Sequence, residues 1–133
     1  MATTTASLTL SSTDLTSDAL SLTKTATLTA QGSSNTGLSQ TSGIARKKYA
    51  ATDEEIIATA ADYTNDRAHK VYVFNTSTTS TEYFIVKVGT QVVGRLYAGD
   101  WAFFPWAGSS NVTVTPSVDT DMIVEFAIYG DEA

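Results

Sequence analysis

The chain contains no cysteine among its 133 residues. That absence removes disulfides, thiolate zinc sites and thiol nucleophiles together, so burial, backbone pairing or association has to hold the fold. Histidine is almost as scarce. His69 is the only imidazole, and a Ser-His-Asp triad or a histidine-ligated metal would have to converge on it alone. Lysine and arginine number 8 against 14 carboxylates, leaving a net charge of −6 and a pI near 4.5. Nucleic-acid affinity draws mostly on Lys and Arg, so no nucleic-acid partner is expected. No segment approaches the ~18 apolar residues of a membrane span. The first residues show neither the basic nor the apolar stretch of an export signal, and a soluble protein with no membrane partner is the expectation. Gly32 to Gly37 lacks the Gly-Lys-Ser/Thr ending of a phosphate loop and Gly94 to Gly99 has the wrong spacing, so no cofactor is expected either.

The aromatic residues, two Trp, six Tyr and five Phe, all lie between Tyr49 and Tyr129. The stretch before Tyr49 is crowded instead with Thr and Ser. This contrast divides the chain into an extended Ser/Thr-rich N-terminal arm, residues 1–43, and a compact domain, residues 44–133. Hydrophobic residues at 42% and charged residues at 17% suit one globular domain with one core.

Within the arm, Leu20, Leu22, Lys24, Ala26, Leu28 and Ala30 alternate with Ser21, Thr23, Thr25, Thr27, Thr29 and Gln31. Period-two alternation with β-branched Thr predicts a strand with one dry face, spanning roughly 40 Å at ~3.3 Å per residue. Such a strand is long for this domain and is expected to pair beyond its own fold, in a homo-oligomer. Ala6 to Leu10 predicts a shorter strand with Leu8 and Leu10 on one side, and Ser11 to Asp18 a polar turn. The apolar positions Leu8, Leu10, Leu20, Leu22 and Leu28 are candidate interface residues.

In the domain, Thr52 and Glu55 have capping-box spacing, yet Glu55 to Thr59 reads equally as a strand, and the β surroundings favour the strand. His69 to Asn75 and Glu82 to Val88 alternate on either side of a Thr/Ser-rich turn, which predicts a hairpin. Gly89-Thr90 has the Gly-X form of a type II′ turn, pairing that strand with Gln91 to Tyr97. Further strands are expected over Trp101 to Trp106, Val112 to Thr115 and Met122 to Tyr129. Short, closely spaced strands without a convincing long helix predict an all-β fold, a β-sandwich or jelly-roll-like domain.

Candidate chemistry is thin. His69, beside Lys70 at a strand start, reads as a solvent-facing or structurally bonded histidine, because a catalytic base needs a positioned partner that the sequence does not supply. Asp53-Glu54-Glu55 and Asp119-Thr120-Asp121 lack EF-hand spacing and read as surface turns. No catalytic, cofactor-binding or metal-ligating residue is nominated, and a non-enzymatic role is expected. Arg46-Lys47-Lys48 is a hydrated linker or a dock for an acidic partner. Phe103 and Phe104 are expected in the core. Trp106, beyond Pro105, is a candidate interface residue or sugar platform, with Tyr97 as its companion in the glycan reading.

The segments Ala68-His69-Lys70-Val71-Tyr72-Val73-Phe74-Asn75 and Val92-Val93-Gly94-Arg95-Leu96-Tyr97-Ala98-Gly99-Asp100-Trp101-Ala102-Phe103-Phe104-Pro105-Trp106 carry a resemblance. From about Ala68 to Tyr129 the chain resembles small β-sandwich structural proteins of tailed phages of marine bacteria, with an arm similar in character. The resemblance implies a virion component, a capsid decoration or cement protein on the outer surface of the head. Its partners would be the major capsid protein or other virion subunits, and it brings no active-site residues. A tail or head-fibre component that reads a host glycan is the alternative.

Overall fold

Apolar side chains recur at every second position along most of the described strands, and the backbone obeys that pattern. The computed structural model describes residues 3–15, 17–18, 20–29 and 40–130, and it is all β apart from one 3-10 turn at Ala60–Asp62. Two strands form an N-terminal hairpin, β1 (Thr3–Ser12) and β2 (Leu20–Thr29). A short β3 (Gln40–Thr41) precedes β4 (Ala45–Tyr49), β5 (Glu55–Ala58), β6 (His69–Asn75), β7 (Tyr83–Val88), β8 (Gln91–Tyr97), β9 (Trp101–Trp106), β10 (Val112–Pro116) and β11 (Met122–Gly130).

One sheet runs β5-β10-β7-β8 and the other β3-β11-β6-β9, with β4 also on β11. From β4 onward the chain changes sheet at every connection except β7 to β8, and every ladder is antiparallel. This is the connectivity of an eight-stranded jelly roll. The inward positions Val71, Val73, Phe84, Val86, Val112, Val114, Met122, Val124 and Ile128 are all buried and form the core between the sheets. Each is worth about 1.5–3 kcal/mol on full burial.

The strand reading of Glu55 to Thr59 holds, as β5, with the 3-10 turn directly after it. The β7–β8 hairpin turns at Gly89, whose φ of 60° suits the turn that Gly-Thr provides. The expected hairpin of β6 with β7 does not form, because those strands lie in opposite sheets. Val71 and Val73 of β6 and Phe84 and Val86 of β7 face the core from opposite sheets, and the polar loop between the strands crosses the sandwich edge instead of reversing within a sheet. Asn75, fully buried, holds that crossing: its Nδ2 donates to Leu96 O (2.9 Å) and Glu82 O (3.4 Å), and its Oδ1 accepts from Ser77 N (2.9 Å).

Pairing with the sandwich starts ahead of residue 44, where the sequence places the boundary. Thr41 and Gln40 lie opposite Tyr129 and Gly130. Ser42 N donates to Ile128 O, and its Oγ accepts from Ile128 N, both at 2.9 Å. Arg46 to Lys48 are therefore part of edge strand β4 and not a linker.

His69 is sealed in the core, with its Nε2 donating to Thr64 O at 2.7 Å. Tyr63 and Trp106 pack around it, with ring centroids 5.4 and 5.5 Å from the imidazole. A Cβ at Gly130 would overlap His69 Nδ1, and one at Gly108 would come within 3.1 Å of the ring. Gly130→Ala is expected to cost about 3 kcal/mol or more, since neither the ring nor the backbone can yield. Asn75→Ala is expected to cost about 2–3 kcal/mol by leaving buried peptide groups unpaired. Urea midpoints of both variants against the parent chain measure these losses.

Candidate interaction surface

Alternation along β9 sends Trp101, Phe103 and Pro105 outward and turns Ala102, Phe104 and Trp106 to the core. Across the ladder Tyr72 faces Phe103 and Phe74 faces Trp101, so β6 and β9 raise a double row of rings on the outer face of their sheet. Tyr129 of β11 extends it, edge-on to Phe103 at 6.3 Å between centroids. Trp101 is 55% exposed. A large, partly exposed aromatic patch on a sheet face is the usual composition of an interface centre.

Trp106, the tryptophan singled out from the sequence, is a correction. It is 3% exposed, its Nε1 donates to Ser110 O at 2.8 Å, and it packs edge-on to Tyr63. No partner or sugar reaches a side chain so placed. The ladder does not stop at Pro105 but continues through Lys70 opposite Pro105 and His69 opposite Trp106. An edge strand tolerates a proline, since one of its two sides has no partner to bond. Phe103 is corrected in the other direction, from core to outer face. Tyr97 lies on the opposite sheet, its ring tilted against Tyr83 with centroids 5.1 Å apart, so the two residues of the expected sugar platform are not brought together.

The arm pairs with itself. β1 and β2 run antiparallel from Thr3 opposite Thr29 to Ser12 opposite Leu20. Residues 30 and 31, the end of the expected strand, lie outside the described residues. The register puts Ala6, Leu8, Leu10, Leu20, Leu22, Lys24 and Ala26 on one face, and Thr5, Ser7, Thr9, Ser11, Ser21, Thr23 and Thr25 on the other. Leu8, Leu10 and Leu20 remain 38%, 46% and 39% exposed, and Leu22 is half-buried. Leu28 sits opposite Thr4 in the ladder, and its side chain lies outside the described residues.

Between hairpin and sandwich lies a cleft of about 450 Å³. Ala6, Ser7, Leu8, Lys24, Thr25 and Ala26 form one wall, and Tyr72, Trp101 and Phe103 the other. The surface that sequence reasoning missed is this aromatic wall. Its signal was present in the shared parity of Trp101 with Phe103, but parity does not tell which side is inward.

Polar groups close one margin of the wall. Tyr72 Oη donates to Glu125 Oε2 at 2.7 Å, and Arg46 Nε donates to Glu125 Oε1 at 3.0 Å. Burial, and then the bond to Glu125, push the Tyr72 phenol up to about 12. The same bond, and then that from Arg46, hold Glu125 below its ordinary value. Arg46 is thus engaged within the chain. Lys48 lies 3.5 Å from Asp121, and Lys47 Nζ is 5.9 Å from the Phe126 ring centre. These exposed pairs contribute little to stability, and the three side chains remain accessible at the sheet edge. Among the described residues, no group of three or more His, Cys, Asp or Glu is placed to hold a metal ion.

Fold and surface together define a jelly-roll β-sandwich with an appended amphipathic hairpin and an aromatic outer face. Among known protein families, curated proteins and solved structures, none matches the chain.

The Tyr72–Glu125 bond sets a two-sided pH dependence. Glu125 has a depressed folded value, so its contribution is complete above its ordinary 4.5 and is lost as pH falls through the folded value. Tyr72 has a raised one, so its contribution is complete below 10.0 and is lost as pH climbs toward 12. In Tyr72→Phe, NMR titration of the Glu125 carboxyl is expected to show its midpoint returning toward the ordinary range, and the phenol step near 12 in ultraviolet titration is expected to vanish.

Proposed function

We propose that this chain is a non-enzymatic virion structural protein of a tailed phage, a decoration or cement protein on the outer surface of the head. The observation that carries the reading is the hairpin: two strands outside the sandwich ladders, with an apolar row in which Leu8, Leu10 and Leu20 are left more than a third exposed. An isolated two-stranded hairpin is marginal in water. Burying that row against a neighbouring virion subunit, and adding its free edges to a neighbour's sheet, supplies what the hairpin lacks.

Completing the burial of each exposed leucine is worth roughly 1 kcal/mol, a fraction of the full transfer value. A handful of such contacts is weak singly and strong on a lattice, where many copies bind one shell. The major capsid protein is the natural partner. Excess carboxylate suits the outside of a shell better than the side facing packaged DNA, and the exposed Lys47 and Lys48 at the edge of β4 can meet an acidic partner beside the engaged Arg46. The resemblance through Gly99-Asp100-Trp101 to Trp106 supports the same reading. Jelly rolls serve viral capsids and lectins alike, so the fold alone does not choose between them.

A tail or head-fibre component that binds a host glycan is the second reading, favoured by Trp101, whose half-exposed ring beside Tyr72 and Phe103 offers a stacking face. Co-sedimentation with undecorated capsids separates the two. The parent chain is expected to bind and raise the capsid's melting temperature. Leu10→Asp with Leu20→Asp is expected to lose both effects, and Trp101→Ala to lose glycan retention only if the second reading holds. Absence of capsid binding by the parent chain removes the decoration reading.

A further inference from the structure

The hairpin's seat is poorly filled within its own chain. A cleft of about 450 Å³ stays open there. It lies between Leu8 and Ala26 on one side and Trp101 and Phe103 on the other, surfaces that gain nothing from being wet. The three leucines of the same face stay partly exposed. The two surfaces are chemically complementary, both are carried by one chain, and the contact they make in that chain is loose.

Ten residues separate Thr29 from Gln40. That length spans at most about 40 Å when extended, more than the ~33 Å length of the hairpin itself. The hairpin can therefore reach a neighbouring molecule while β3 stays paired to β11. Exchange of an element between identical copies needs no interface beyond the one each chain already encodes. Nothing in the sandwich ladders depends on the hairpin, so moving it leaves the core intact.

We propose that copies of this chain exchange N-terminal hairpins, each hairpin laying its leucine face on the aromatic wall of a second copy. This deepens the reading of the hairpin as a contact element, by naming a second copy as the occupant of the wall. The aromatic wall is then the centre of a self-association interface, and the free edges β1 and β2 remain for other subunits.

The absence of native cysteine makes the test direct. L8C and F103C are placed in separate full-length chains, mixed in urea, refolded together and treated with a short bismaleimide. Exchange predicts a two-chain product in the mixture, well above the product from either variant alone. Cross-linking only within single chains of the L8C/F103C double variant, with none in the mixture, overturns the proposal, as does cross-linking in neither. A second measurement does not depend on the cysteines. Sedimentation equilibrium of the parent chain is expected to give a multiple of the monomer mass, falling to the monomer in Leu8→Asp. A monomeric parent chain overturns the proposal as well. Both measurements use purified protein without capsids, so failure of capsid binding bears on the decoration reading and leaves this one standing.

Discussion

Asn75 sits where the chain twice leaves one sheet for the other. Its backbone N–H donates to Asp100 O and its carbonyl accepts from Gly99 N, both at 3.0 Å, while its amide reaches Leu96, Glu82 and Ser77. The end of β6, the approach to β7, the end of β8 and the turn into β9 are thereby tied to one buried side chain. A jelly roll has to change sheets at most of its connections, and each change strips peptide groups of ladder partners at the rim of a dry core. A buried amide with two donors and an acceptor resolves that conflict where four short apolar segments could not.

Two regimes of stability coexist along the chain. The sandwich is held by interdigitated aliphatic side chains between two closed sets of ladders, with satisfied polar groups at the crossings. The hairpin has one ladder, two open edges and an amphipathic surface that no core covers. Its other face is built of hydroxyls, and Ser7 Oγ and Thr25 Oγ1 lie 3.2 Å apart across the strands. Hydroxyl pairs keep that face soluble and add little cohesion, so the hairpin's order depends on what the opposite face meets. The contrast between a self-sufficient body and a dependent appendage underlies both the assembly reading and the exchange of hairpins.

The strands were legible in the sequence because a half-buried strand must alternate and a turn needs its glycine. Met122 to Ile128, Phe84 to Val88 and Gly89 are examples. The path between strands was less legible. Whether the chain after Asn75 reverses within a sheet or crosses to the next depends on long-range partners, and the Thr/Ser loop has the same composition in both cases. The absolute direction of β9 was illegible for a related reason: Trp101 and Trp106 are equally apolar, and only the fit of Trp106 against His69 and Tyr63 settles which goes inside. Pro105 added to the error by resembling a terminator. In the arm the alternation was plain, but nothing in Leu20 to Thr29 announces that its first partner is β1. The margin formed by Tyr72, Glu125 and Arg46 joins residues far apart in sequence, and no local pattern marks it.

The nest of His69, Gly108 and Gly130 has an evolutionary consequence. The imidazole fills volume that two absent side chains leave open, so these three positions form one steric unit drawn from two strands and a turn. Growth at Gly130 is barred until the ring has shrunk, because an added Cβ would overlap His69 Nδ1. Gly108 is held besides by its φ of 80° and by Thr64 O, 3.0 Å from an added Cβ, so it stays glycine whatever occupies position 69. In diverging copies of this sandwich positions 69 and 130 are bound to covary, with large-small and small-large pairs as separate islands.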